Sequence, residues 1–280
     1  MSLAMLTWGA AWTCAKISNE YLNYNNLVFL RFFIGFITIF PIALKQILNL
    51  SQISFKTYLN ILITSILFFI YNQCFFMGTD IGRSGMGGVF VTTTNPIITL
   101  ITASILNKKF NLLKGLAIIL GFIGGLIILD VFNGGINRLL FAGNQYFIMC
   151  SIIWGIMTII ISKGQENINS LWYITFCYFV TSMISLFFID LNQILDFKIY
   201  DIKFFINFFV VCSAMSFGTS IYMIGSYKLG PISASSFIFS VPIIAILTAN
   251  IVINEPIGFN VIIGGTISII SIFIINYIIK

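Results

Sequence analysis

Apolar residues run along this chain in long blocks, and the charged residues fall between them. Seven stretches free of Asp, Glu, Lys and Arg (57–79, 84–107, 139–162, 167–189, 204–227, 229–254 and 256–279) are each 23 to 26 residues long. Three more, 1–15, 32–44 and 115–129, have 13 to 15 residues. A helix rising 1.5 Å per residue needs about 20 mostly apolar residues to cross the roughly 30 Å hydrocarbon core of a bilayer. The long stretches meet that requirement alone. The short ones meet it with their flanks: Lys16 for the first, Arg31 and Lys45 for the second, Lys114 and Asp130 for the third. Long basic side chains near helix ends lift their charge to the interface. The pattern predicts an all-α integral membrane fold of ten transmembrane helices, over 2–18, 27–47, 57–78, 83–106, 112–130, 143–163, 170–190, 203–227, 231–253 and 257–279. The runs far exceed ten residues and do not alternate, which excludes a membrane β-barrel.

The blocks also repeat. Trp8-Gly9 returns as Trp154-Gly155, an offset of 146, and Lys16 returns near Lys163. Leu27–Leu30 is loosely matched by Leu171–Ile174, Gly78 by Gly225, and Asn95-Pro96 by Val241-Pro242. Lys108 stands opposite Glu255, and the glycines from Gly115 to Gly125 stand opposite Gly264, Gly265 and Ser268. The chain divides into five-helix halves, 1–131 and 140–280. With an odd helix number per half, the second half enters the membrane from the opposite side. The result is an inverted repeat about a pseudo-two-fold axis in the membrane plane. Two such half-bundles can expose a central site to either side in turn, which reads as a secondary transporter. The architecture alone names no cargo.

Composition sharpens the class. Of 280 residues 59% are hydrophobic and 8% charged, against about 25% charged in soluble domains; mean hydropathy is +1.05. A soluble globule, a disulfide-stapled domain, a coiled coil, a disordered chain and a nucleic-acid binder are excluded. There is no histidine, so His-based catalysis, metal ligation and proton relay are absent. Five dispersed cysteines without a Cys-x-x-Cys read as packing residues. The net charge of +6 is a topology signal. Lys45, Lys56, Lys108, Lys109, Lys114, Lys163, Lys228 and Lys280 share one side with Glu166. Arg83, Arg138, Lys198 and Lys203 share the other with seven acids. The first side, with both termini, is expected in the cytoplasm of a bacterial inner membrane. The first segment lacks a basic n-region, so no cleavable signal is expected, and the start close to Trp8 leaves a short first helix.

The Trp8-Gly9…Lys16 opening, Arg31 early in helix two and the doubled stretch ending in Pro-x(11–12)-Glu resemble the drug/metabolite transporter superfamily, and its EamA-like family most closely. The resemblance covers essentially the whole chain. It implies a ten-helix inner-membrane carrier, often an exporter of amino acids or other small metabolites, with a central cavity and no cofactor. One departure stands out: that family tends to place a Glu after helices four and nine, and here the first-half position is Lys108.

Several residues are candidates for handling a solute. Pro96 and Pro242 fall mid-helix at matching positions; a proline there frees a backbone carbonyl and kinks the helix, serving as structure or as a hinge for gating. Pro231 and Pro256 are expected at helix starts. Asn95 follows three threonines whose hydroxyls can bond back to the helix; its amide seeks a helix partner or the cargo. Tyr71, Asn72 and Gln73 form a similar patch, and Tyr222 lies at comparable depth with Ser216, Thr219 and Ser220 nearby. Trp8 lies near the cytoplasmic end, whereas Trp154 is mid-helix, where an interfacial anchor is out of place and an aromatic cavity wall fits. Lys16 and Arg31 both read toward the outer face, either snorkelling, with Lys16 paired to Glu20, or forming a patch that recruits a carboxylate-bearing solute. Small-residue pairs, Gly121/Gly125, Gly264/Ser268 and Ser236/Ser240, allow close helix packing or a homodimer. The expected partners are a small-molecule solute and the lipid bilayer, with no metal, no catalytic group and no nucleic acid. Energy coupling reads as facilitated diffusion or exchange at least as readily as proton antiport, since no carboxylate falls near a helix midpoint. The alternatives are an integral membrane enzyme or lipid-handling protein, which would need nucleophiles or carboxylates clustered at one interface, and a non-transporting scaffold.

Overall fold

The computed structural model describes residues 1–47, 53–107, 112–135, 137 and 143–274. Lys108, Lys109, Arg138 and Lys280, which enter the charge asymmetry and the Lys108–Glu255 comparison, lie outside the described residues. So do the last residues of the helix expected over 257–279. Among the described residues the regular structure is helical. The helices are α1 Ser2–Ser18, α2 Tyr24–Ala43, α3 Phe55–Ile81, α4 Ser84–Asn107, α5 Leu112–Ile128, α6 Asn144–Gly164 and α7 Ser170–Leu186. After them comes α8, which runs from Ile202 to Lys228 through a π-helical stretch at Ala214–Thr219. Then α9 passes from Pro231–Ser236 through a 3-10 turn at Phe237–Ser240 into Val241–Ile253, and α10 covers Phe259–Phe273. Short turns of helix lie at Val131–Gly134 and Leu191–Leu195.

Among the described residues, five segments are long and apolar enough to cross a membrane: Tyr24–Ala43, Phe55–Ile81, Ser84–Leu106, Asn144–Gly164 and Ile202–Lys228. Shorter apolar helices occupy Ile119–Ile128, Ser170–Leu186, Val241–Ile253 and Phe259–Ser271. Local chemistry sets the boundaries. Asn23, Ser54, Asn169 and Asp201 accept backbone N–H groups at the starts of α2, α3, α7 and α8. Asn254, at φ 52°, ends α9 in the left-handed conformation that Asn tolerates. Gly230, at φ 84°, turns the chain so that Pro231 opens α9, as its missing N–H permits. Pro256 does not start a helix: it lies in the extended link before α10, three residues short of Phe259. Pro242 falls midway along α9, directly after its 3-10 turn, so of this matched pair only Pro96 interrupts a continuous stretch of α-helix. Pro41 sits unremarked in the last turn of α2.

The strongest packing joins the first five helices to the last five. It pairs α5 with α10, α2 with α7 and α4 with α9; α1 lies on α8 and α9, and α6 lies on α3 and α4. Individual contacts come in mates. A Cβ on Gly9 would stand 2.5 Å from Ile244, and one on Gly155 would stand 2.6 Å from Ile98. Asn19 donates to the Phe76 carbonyl at 2.9 Å, and Gln165 to that of Met223 at 2.8 Å. Gly78 receives Phe147 as Gly225 receives Met1. Each residue is displaced from its mate by 146 or 147 positions.

The small residues of α5 and α10 are used inside the chain. Gly124 and Gly264 face one another backbone to backbone, Ser268 reaches the Gly121 carbonyl at 3.4 Å, and Ser271 donates to Ala117.

Candidate functional site

A cavity of about 30 Å³ lies between α1, α2, α3, α4, α6 and α8. That volume holds about two waters. Its walls include Trp8, Trp12, Arg31, Tyr71, Asn72 and Phe75 from α1 to α3, and Thr92, Asn95, Trp154, Met215 and Thr219 from α4, α6 and α8. Helical spacing aims them inward: Trp8 and Trp12, like Tyr71 and Phe75, are four residues apart and share a helix face. Trp12, Phe75 and Met215 did not stand out in the sequence. That i, i+4 spacing from Trp8 and Tyr71 was the signal available for the first two.

Aromatic rings carry the wall. Trp8 meets Trp154 edge to face with centroids 5.0 Å apart, Tyr71 lies 4.8 Å from Trp154, and Trp12 lies 4.8 Å from Phe75. These are distances at which ring quadrupoles attract. Trp8 is therefore not an interfacial anchor; its Nε1 donates to the Ala214 carbonyl at 3.2 Å. The same carbonyl, at the start of the π-helical turn of α8, also accepts from Thr219 Oγ1 at 3.1 Å. The next carbonyl, Met215, accepts from the Tyr178 hydroxyl at 2.8 Å.

Arg31 corrects its expected placement. It does not snorkel: it is 6% exposed, its Nη1 donates to Asn72 Oδ1 at 2.7 Å, and its guanidinium carbon lies 5.1 Å from the Phe75 ring centroid. The Asn72 amide is itself held by the Phe68 carbonyl at 2.9 Å. Lys16 stays outside the cavity wall and does not pair with Glu20. Its Nζ donates to the Gly82 carbonyl at 2.5 Å, and Glu20 is taken by Lys203 at 2.7 Å. Tyr222 is one layer behind the wall, fully buried, 4.9 Å from Trp8 and hydrogen-bonded to Thr158 Oγ1 at 3.0 Å. Gln73 turns away to Asn25 Oδ1 at 2.7 Å. In the threonine strip, Thr92, Thr93 and Thr94 all bond back to the helix, at Gly88, Val89 and Phe90, and Thr92 and Asn95 line the cavity. Pro96 follows immediately and cannot donate to the carbonyl of Thr92, so the α4 ladder is weakened where it meets the cavity.

Glu255 makes a further link between the halves. Its Oε2 accepts from Ser84 Oγ at 2.9 Å and from the Gly85 N–H at 3.1 Å, capping the start of α4 from the α9–α10 link. On the outside of the bundle, α4, α5 and α6 border an apolar groove of about 460 Å³, whose polar members Thr94 and Ser151 satisfy one another at 2.6 Å.

Apolar helices long enough to cross a bilayer, packed around a small pocket of aromatic and polar side chains, define a multi-pass integral membrane protein. The EamA-like transporter family model matches residues 1–130 and 141–277, and the chain belongs to that family. It is thus an integral membrane transporter of the drug/metabolite type. The uncharacterized transporter YvbV of Bacillus subtilis (strain 168) is 22% identical over 287 residues, spanning 99% of this chain and 90% of that protein. The uncharacterized transporter YoaV of the same strain is 24% identical over 166 residues, 59% of this chain and 56% of its own. A solved structure titled "Crystal structure of protein" aligns over 99% of this chain and 95% of its own, with a TM-score of 0.68 at 13% identity, which shows a common fold alone.

Proposed function

We propose that the chain is a secondary carrier that exports a small polar or amphipathic metabolite by alternating access around the cavity between Arg31 and Trp154. In this reading ten helices cross the inner membrane as two inverted repeats, 1–131 and 140–280, with both termini in the cytoplasm. The observation that carries it is the cavity wall, to which α1 to α4 contribute from one half and α6 and α8 from the other. The mated contacts support the same reading, because two equivalent half-bundles can exchange conformations. At about 30 Å³ the cavity is far below the 300 Å³ or so that encloses a ligand. Cargo entry therefore requires the halves to part on one side, with Pro96 and the π-helical turn of α8 as the yielding points. Counterflow in proteoliposomes tests this: internal cargo should drive uptake of labelled cargo without ATP. Saturable counterflow is expected, and purely passive, non-saturable leak would defeat the proposal. Reporter fusions at the C-terminus should be active in the cytoplasm and silent outside it.

A further inference from the structure

The cavity holds one positive charge and no group to balance it. Arg31 is buried; beyond the Asn72 bond and the ring faces of Phe75 and Phe76, its Nε has no partner. All eight Asp and Glu of the chain are among the described residues, and none lines the cavity. Tyr71, the other titratable side chain on the wall, is a phenol and carries no charge at neutral pH. A buried, unpaired charge is costly, and one inside membrane helices faces a partner or a water-filled path. Two further buried polar atoms on the same wall, Trp154 Nε1 and Asn95 Oδ1, are also unpartnered.

We infer that the cargo is a monovalent organic acid whose carboxylate pairs with Arg31 and whose flat or branched apolar body lies against Trp8, Trp12 and Trp154. This rests on the transporter reading and narrows it. One guanidinium balances one negative charge, and Lys16 is held at Gly82 rather than at the cavity, so a dianion would be left half compensated. No carboxylate is present to take an ammonium, which disfavours amino acids and amines. Trp154 Nε1 supplies a second donor to the acid, and Asn95 Oδ1 an acceptor for a hydroxyl on its body.

The test is the melting temperature of the full chain in detergent. The probes are benzoate, phenylacetate and isovalerate, each beside its neutral amide, with phenylalanine and phenethylamine as zwitterionic and cationic counterparts. At least one acid should raise the melting temperature by about 3 °C or more, since a ligand of the folded form stabilises it. The amides, the amino acid and the amine should not. Arg31→Gln should abolish the acid response. Asn72→Asp, which sets a carboxylate against Arg31, should melt above wild type without ligand and also lose the response. No shift with any acid, equal shifts with the amides or the amine, or an Asn72→Asp variant melting below wild type would each overturn the anion assignment. The transport reading fails separately, if an acid that shifts the melting temperature shows no counterflow. Counterflow of amino acids untouched by Arg31→Gln would sink the anion assignment and leave transport standing.

Discussion

Trp8 in α1 and Trp154 in α6 stand 146 positions apart in the chain and meet edge to face. Tyr222 packs on both, 4.9 Å from Trp8 and 5.6 Å from Trp154, yet contributes no cavity surface. This separates packing from cargo contact. Tyr222→Phe removes the bond to Thr158 and keeps the ring, so it should cost about 1 kcal/mol of stability. Melting temperature should fall while the half-saturating cargo concentration in counterflow stays at the wild-type value. Trp154→Ala removes a buried ring from the wall itself. It should cost about 3 to 5 kcal/mol, and in any folded fraction it should also weaken cargo binding. A Tyr222→Phe variant that weakens cargo binding as much as Trp154→Ala would show that the wall is drawn one layer too shallow. Of these candidates, the paired Trp-Gly motif made Trp154 legible in the sequence. Arg31 read toward the outer face, as a snorkelling flank or as part of a patch for a carboxylate, because hydropathy counts a charge near the end of an apolar run as a flank. What holds it inside is Asn72, forty-one residues away on another helix, and no local pattern announces such a pairing.

At the scale of elements, the two matched prolines have parted in role. Pro96 interrupts α4 in mid-course, whereas Pro242 directly follows the 3-10 turn of α9, which already breaks the i→i−4 ladder there. Pro96→Ala should therefore restore a bond to Thr92 and raise the melting temperature, by an amount bounded by the roughly 3 kcal/mol penalty of an interior proline. If α4 must bend for the cavity to open, turnover in counterflow should drop at the same time. Pro242→Ala should change stability little; equal effects from both substitutions would contradict the asymmetry. The start of α8 offers a pH test outside the apolar segment. The Phe204 N–H, with the Tyr21 hydroxyl and Lys203 adding to it, holds the Asp201 carboxyl below its ordinary value. A depressed carboxylate contributes stability that is present above the unfolded value near pH 4 and lost as pH falls through the folded one. Asp201→Asn should thus reduce stability at neutral pH and make the acid limb of the stability profile shallower. An acid limb unchanged by the substitution would remove Asp201 from the account.

For the whole molecule, uncharged run length placed the start of each of α1 to α10 within a few residues, because it is set directly by what a helix can bury, whereas the short turns at Val131–Gly134 and Leu191–Leu195 left no such mark. Continuity was less legible. The stretches 167–189 and 229–254 are long enough to span as unbroken helices, yet α7 stops at Leu186 and α9 passes through a 3-10 turn, where Pro242 and packing set the geometry rather than hydropathy. The repeat offset, by contrast, carried over from single motifs to three-dimensional contacts. Gly9 and Gly155 are the sharpest instance, each a notch filled by an isoleucine of the opposite half. If the halves are equivalent, the two notches must fail in the same way and be repaired in the same way. Gly9→Ala sets a Cβ 2.5 Å from Ile244, and Gly155→Ala sets one 2.6 Å from Ile98. Neither helix can move aside without disturbing the cavity beside it, so each should cost about 1 to 3 kcal/mol, the usual range for overpacking. Moving the notch to the partner helix should restore most of that loss, as Gly9→Ala with Ile244→Gly and as Gly155→Ala with Ile98→Gly. Some deficit will remain, because the new alanine replaces only part of the packing that the isoleucine supplied. The crossed combinations, Gly9→Ala with Ile98→Gly and Gly155→Ala with Ile244→Gly, should rescue nothing and should melt at or below the single variants. Rescue that ignores the pairing would mean that the notches tolerate general loosening, and the mated contacts would then say nothing about how the two halves lock.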